Sequence, residues 1–113
     1  RRILLQTKTL ILTPRYLVEL SDDICAIIPL PEVLWIYDHA AMRRTIKGRQ
    51  LSYTIHVVTM KGEEYTLTGK SHREVSAIYH ELNTRYPNFF FGYSKEHQEM
   101  VQYVLHETKN EKA

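Results

Sequence analysis

The sequence predicts an α+β domain, mainly β: a bent antiparallel sheet of about six to seven strands forming a half-barrel, capped by a C-terminal helix, with one extra helix after it. Three observations predict it. Apolar residues recur with period two in short blocks between residues 8 and 69, the period changes to the helical one at Ser71, and no helical segment interrupts the strand blocks. Strands followed by helices, instead of alternating with them, argue for an antiparallel sheet and against a parallel βαβ arrangement. An amphipathic helix directly after a bent meander can close its mouth and bury both apolar faces.

The elements follow in order. Lys8 to Thr13 alternates in part and stops at Pro14, which cannot donate to a ladder, so a turn through Pro14 and Arg15 leads to a second strand, Tyr16 to Leu20. Asp22 and Asp23 favour a turn. Cys25 to Leu30 is apolar enough for a third strand, closed by Pro29 and Pro31, with Cys25 read as a small buried hydrophobe. Val33 to His39 makes a fourth, with Val33, Trp35 and Tyr37 on one face and Leu34, Ile36 and Asp38 on the other. The polar stretch from Arg43 to Arg49, with Gly48, suits a hairpin tip. Ser52 to Met60 is the fifth strand, placing Tyr53, Ile55, Val57 and Thr59 on one side and His56 and Val58 on the other. Lys61-Gly62 turns the chain into a sixth strand, Glu64 to Thr68, with Tyr65 and Leu67 facing alike.

Ser71 followed by Glu74 has the form of a capping box, and Val75, Ile78, Tyr79, Leu82 and Tyr86 then recur at helical spacing up to Pro87. Phe89, Phe90 and Phe91 form an apolar connector. Ser94 caps a second helix carrying Met100, Val101, Val104 and Leu105, expected to fray after His106. The expectation is one domain over residues 1–113, with the sheet at about 8–69, the capping helix at 71–86 and the second helix at 94–107.

Composition agrees with a single core. A chain of 113 residues, 43% hydrophobic and 25% charged, buries enough surface to need no disulfide or metal, and it has one cysteine. A net charge of +2 gives no bulk signal for nucleic acid, so any such signal is local. No run approaches the roughly 18 apolar residues of a membrane span. The chain opens Arg1, Arg2, Ile3 without a Met, which suggests processing or a piece cut from a longer protein. A membrane helix upstream of Arg1 would make these arginines its cytoplasmic flank.

Arg43, Arg44, Lys47 and Arg49 put four cations within seven residues and no acid among them. Two readings fit: a solvated hairpin whose charges guard an edge, or a contact to an anionic surface. Nucleic acid is not expected, because Trp35 and Tyr53 alternate as though packing under a helix instead of lying open beside a basic groove. Phe89, Phe90, Phe91 and Tyr93 cannot all face one core, so they are either covered by the second helix or form an interface. The six histidines, at 39, 56, 72, 80, 97 and 106, contain no His-Glu-x-x-His spacing, and no metal site is expected. Catalytic and cofactor sites are likewise not expected. Cys25 lies in no positive environment, the doublets Asp22-Asp23 and Glu63-Glu64 sit in turns, and there is no Gly-rich phosphate loop or nucleophile elbow.

Leu10-Ile11-Leu12-Thr13-Pro14-Arg15-Tyr16-Leu17-Val18 resembles the paired opening strands of bacterial PH-like and GRAM-like domains. Ile27-Ile28-Pro29-Leu30, leading into Val33-Leu34-Trp35-Ile36-Tyr37, resembles the next step of that family, and a Lys-Gly hairpin and a terminal helix follow in order. The tail, Tyr86-Pro87 and then Gly92-Tyr93-Ser94 before a second helix, is similar to small bacterial PH-like proteins, some held at a membrane by an upstream segment. The resemblance implies a noncatalytic binding or adaptor module of a larger bacterial protein, expected in the cytoplasm and, where a segment upstream of Arg1 anchors it, at the inner face of the membrane. Its partner would be a protein or an anionic membrane surface. The first turn here holds only Pro14 and Arg15, so inositol-phosphate recognition does not carry over. The alternative is a protein interaction or homo-oligomerisation domain without lipid binding.

Overall fold

The computed structural model describes residues 2–21 and 25–112. Arg1 and the expected Asp22-Asp23 turn lie outside them. The domain is α+β and mainly β, but its strands form two four-stranded sheets and not one meander. The first sheet contains β1 (Leu5–Gln6), β2 (Leu10–Leu12), β3 (Tyr16–Glu19) and β4 (Ala26–Pro29), paired antiparallel in chain order. The Pro14-Arg15 turn is held by Thr13, whose Oγ1 accepts from the backbone N–H groups of Arg15 and Tyr16 at 3.3 and 3.0 Å. β1 was not expected, since two residues are too few to show a period. Cys25 precedes β4 and is exposed, which corrects its reading as a buried strand residue.

A 3₁₀ turn, Leu30–Glu32, passes the chain to the second sheet. This sheet contains β5 (Val33–Thr45), β6 (Gly48–Thr59), β7 (Glu64–Lys70) and β8 (Phe90–Phe91), in the order β7-β6-β5-β8. β8 pairs parallel to β5, Trp35 opposite Phe90 and Ile36 opposite Phe91. The all-antiparallel expectation therefore fails at this edge, because the chain returns over α1 to the far side of β5. A bulge between Val33 and Trp35 also corrects the expected faces. Val33 joins Ile36 on the side of the main core, while Leu34 and Trp35 both serve the opposite side.

Two helices complete the fold. α1 (His72–Arg85) begins with the expected capping box: Ser71 Oγ accepts from the Glu74 N–H and Glu74 Oε1 accepts from the Ser71 N–H. Its residues Val75, Ile78 and Leu82 enter a core formed with Leu10, Leu12, Leu17 and Ile28 of the first sheet and Ile36, Ile55, Val57 and Leu67 of the second. The expected pairing of Tyr65 with Leu67 and the expected split of β6 into Ile55/Val57 and His56/Val58 are both present. α2 (Lys95–Lys112) runs on past His106 and does not fray there. It covers the other face of the second sheet, where Val101 packs with Leu34, Trp35 and Val58, supported by Tyr37, Phe90, Val104 and Leu105. Met100, expected on this apolar face, is exposed.

A polar joint ties the two sheets together. The Lys70 ammonium donates to Glu19 Oε1 at 2.5 Å and to the Thr9 carbonyl at 3.3 Å, with side-chain exposures of 0% for Lys70 and 4% for Glu19. Beside it, Thr7 and Thr9 donate to Glu74 Oε2 at 2.5 and 3.1 Å, linking the β1–β2 turn to the start of α1. Burial pushes the Glu74 carboxyl up, but the hydrogen bonds from Thr7, Ser71 and Thr9 outweigh it and hold the group below the usual carboxylate range. Among the described residues every buried side-chain nitrogen and oxygen has a partner.

Candidate functional site

The longest pairing in the molecule is β5 with β6, which runs without a break from Trp35 opposite Val58 to Thr45 opposite Gly48. Its outer half leaves the core behind. β7 stops at Lys70, opposite Tyr53, and β8 reaches only Ile36, so among the described residues the ladder beyond these points is two strands wide. From His39 to Leu51 every residue is exposed. The result is a projecting arm, and it accounts for the length of a molecule measuring 52 × 36 × 28 Å.

The turn at the end of the arm is Ile46-Lys47, shorter than the expected tip from Arg43 to Arg49. Gly48 takes a φ of 117°, a conformation that a side chain disfavours, and Thr45 Oγ1 donates to its carbonyl at 2.8 Å. Arg43 and Arg44 therefore lie on β5, Arg49 on β6 and Lys47 at the turn. Ladder register places Arg44 directly opposite Arg49, with Met42 opposite Leu51 on the same face. Two like charges in that position repel each other, and no acid in the arm offsets them. Ile46 at the tip is fully exposed, and Met42 and Leu51 are 59% and 52% exposed. The arm is thus both basic and apolar. Between its β6 edge and the start of α1 lies a cleft of about 430 Å³, lined by Arg43, Arg44 and Leu51 on one side and Thr9, Lys70 and Ser71 on the other.

At the root of the arm, on the face turned toward α2, aromatic rings form a column. Trp35 stacks against Tyr93, Tyr37 lies 4.5 Å from Trp35, His56 stacks on Tyr37 at 4.7 Å, and His39 stands beside His56. His39 Nδ1 and His56 Nε2 are 3.3 Å apart. Burial and the neighbouring His39 hold His56 below the ordinary imidazole range, with Glu64 pulling the other way. Burial, with Glu64 and Tyr93 beside it, raises the Tyr37 hydroxyl. The sequence reading missed this histidine pair because it compared histidines along the chain. The signal was the hairpin register, which aligns Tyr37 with His56 and His39 with Thr54 once the turn is placed at Ile46-Lys47. Among the described residues, no group of three or more His, Cys, Asp and Glu side chains stands ready to hold a metal ion.

The aromatic connector is divided among different surroundings. Phe89 packs on the main core, Phe90 joins the cluster under α2, and Phe91 and Tyr93 remain largely exposed. Gly92 holds this segment down: its N–H donates to the Ile36 carbonyl, and its own carbonyl accepts from the Trp35 indole, both at 2.9 Å. Trp35 is consequently buried, and Tyr53 packs on the main core, so these two rings do not form a stacking platform. No helix among the described residues is long and apolar enough to cross a membrane.

No curated protein and no solved structure matches this chain. A family profile does match, over residues 7–101, and those limits are informative: Thr7 is the first hydroxyl on Glu74, and Val101 is the α2 residue that seals Trp35. Both packed faces of the second sheet, and the arm between them, fall inside the match, and the chain belongs to the family described as Domain of unknown function (DUF6709).

Proposed function

We propose that this domain is a noncatalytic recognition module that docks on an anionic membrane surface through the β5–β6 arm, as the binding or adaptor part of a larger membrane-associated bacterial protein. The observation that carries the reading is the arm: four cations, no acid, an opposed Arg44–Arg49 pair and a bare Ile46 at the tip. An anionic surface relieves the repulsion between the arginines. Near such a surface each basic residue contributes about 1 kcal/mol, so the four supply at most ~4 kcal/mol, which is weak on its own. Insertion of Ile46, flanked by Met42 and Leu51, supplies the second anchor, at about 1.5–3 kcal/mol for one large aliphatic side chain. A PH-like architecture fits this role, and two sheets sharing one core with α1 support it.

Co-sedimentation with phosphatidylserine-containing vesicles tests the proposal. Binding is expected, falling with added salt, with charge reversal at Arg43, Arg44, Lys47 and Arg49, and with Ile46→Asp. Absence of binding to anionic vesicles, or binding indifferent to both changes, rejects it. A second reading, a protein interaction or homo-oligomerisation domain, is favoured by large apolar side chains outside the arm, Phe91, Tyr93, Met100 and Tyr103, each about half exposed or more. Self-association in sedimentation velocity, abolished by Tyr103→Lys, would support that reading.

A further inference from the structure

The His39–His56 pair takes no part in the docking described above, which uses the cations and Ile46. We propose that it is a cross-strand chelate for a borderline divalent transition ion of the Zn²⁺ class at the root of the arm. Two zinc–nitrogen bonds of about 2.0–2.1 Å meeting at a tetrahedral angle require their nitrogens to stand about 3.3–3.4 Å apart. His39 Nδ1 and His56 Nε2 already stand 3.3 Å apart.

Their positions are fixed by the ladder and not by loop conformation. His39 faces Thr54 and His56 faces Tyr37 in an unbroken stretch of β5–β6 pairing, and the Tyr37 ring holds the His56 ring within 16° of parallel. Coordination needs both facing nitrogens free of protons. The hydrogen atom shared in the present N···N contact moves to the other nitrogen of its ring, so binding to the neutral pair releases no net proton.

On β7, Thr66 is opposite His56 and Glu64 is opposite Val58, so Glu64 shares the face but lies on the side of His56 away from His39 and acts on the pair only as a neighbouring charge. Its carboxylate already acts electrostatically on both His56 and Tyr37. The protein side of the site is therefore the two imidazoles, with water completing the coordination. Among the described residues, Tyr37 stacks on His56, Glu64 acts on it electrostatically, and Tyr93 stands beyond Tyr37.

The test uses the untagged domain and Zn²⁺ alone, followed by calorimetry and by histidine side-chain NMR. One equivalent is expected to bind, with the His39 and His56 ring signals shifting together. His39→Asn and His56→Asn are each expected to weaken binding about tenfold or more. Acidification from pH ~7.5 to ~5.5 is expected to weaken it about tenfold or more through proton competition. Zn²⁺ is also expected to raise the melting temperature of the parent but not of the His39→Asn/His56→Asn variant. No binding at ~1 mM Zn²⁺, or equal binding by the double variant, overturns the proposal. The readout is independent of vesicles, so failure of either proposal leaves the other standing.

Discussion

Replacing Lys70 with methionine keeps the reach of the side chain and removes its charge. Glu19 would then be a carboxylate at 4% exposure with the ammonium that now sits 2.5 Å away gone. Breaking a buried pair from one side costs about 3–5 kcal/mol. At an unfolding entropy of about 2.1 cal/mol/K per residue, a chain of 113 residues loses ~4 °C of melting temperature per kcal/mol, so the expected fall is about 12–20 °C. Differential scanning calorimetry on the parent and the variant measures it. Glu19→Leu combined with Lys70→Met is the companion variant. This pair removes both charges, and the Thr9 carbonyl released by Lys70 keeps the Leu20 N–H at 2.9 Å. The double variant is expected to recover most of the loss, giving a coupling energy of about 2–3 kcal/mol in the four-way cycle. A loss below about 1 kcal/mol in Lys70→Met, or a double variant no better than the single one, would refute the assignment of this pair as the joint between the sheets.

Two further perturbations probe the parts of the fold that flank the arm. Glu74 has its folded-state value below the ordinary carboxylate one, so its stabilisation is present above the unfolded value, near pH ~4.5, and is lost as pH falls through the lower folded value. Urea midpoints should therefore drop on acidification below pH ~5, and less steeply in Glu74→Gln; parallel pH profiles would count against the Thr7–Thr9–Glu74 link. Gly92→Ala meets no crowding but forces a side chain onto a φ of 86°, at about 1–2 kcal/mol, loosening the segment that carries β8 and α2. The single tryptophan reports it: Trp35 emission should shift to the red as its cover loosens, and an unchanged spectrum at unchanged stability would show that Gly92 does not hold it.

How much of this was legible in the sequence depends on whether the signal was local. The Ser71–Glu74 box and the Val75, Ile78, Leu82 stripe describe a helix completely within its own residues, and α1 lies within one residue of the expected limits. The division into two sheets was not legible, because it is made at Leu30–Glu32, a single 3₁₀ turn between two apolar runs that read as consecutive strands. The bulge at Val33–Trp35 hid itself in the same way: Val33, Leu34, Trp35 and Ile36 are all apolar, so no alternation survives to show which faces where. That run is apolar because the second sheet is covered on both sides, by the main core and by α2. β8, two residues in a connector of phenylalanines, carries no period at all. The four cations of the arm were legible as a cluster but not as an opposed pair, since opposition needs the register. The His39–His56 contact was hidden for the same reason.

The arm from His39 to Leu51 contributes no buried side chain to either packed face. Residues there answer only to ladder geometry and to the Gly48 turn, so the segment can be rewritten without unsettling the scaffold that carries it. Amide exchange along the arm should accordingly outpace that of the paired strands below Ile55, and a foreign recognition hairpin grafted at these positions should inherit the same rigid pedestal.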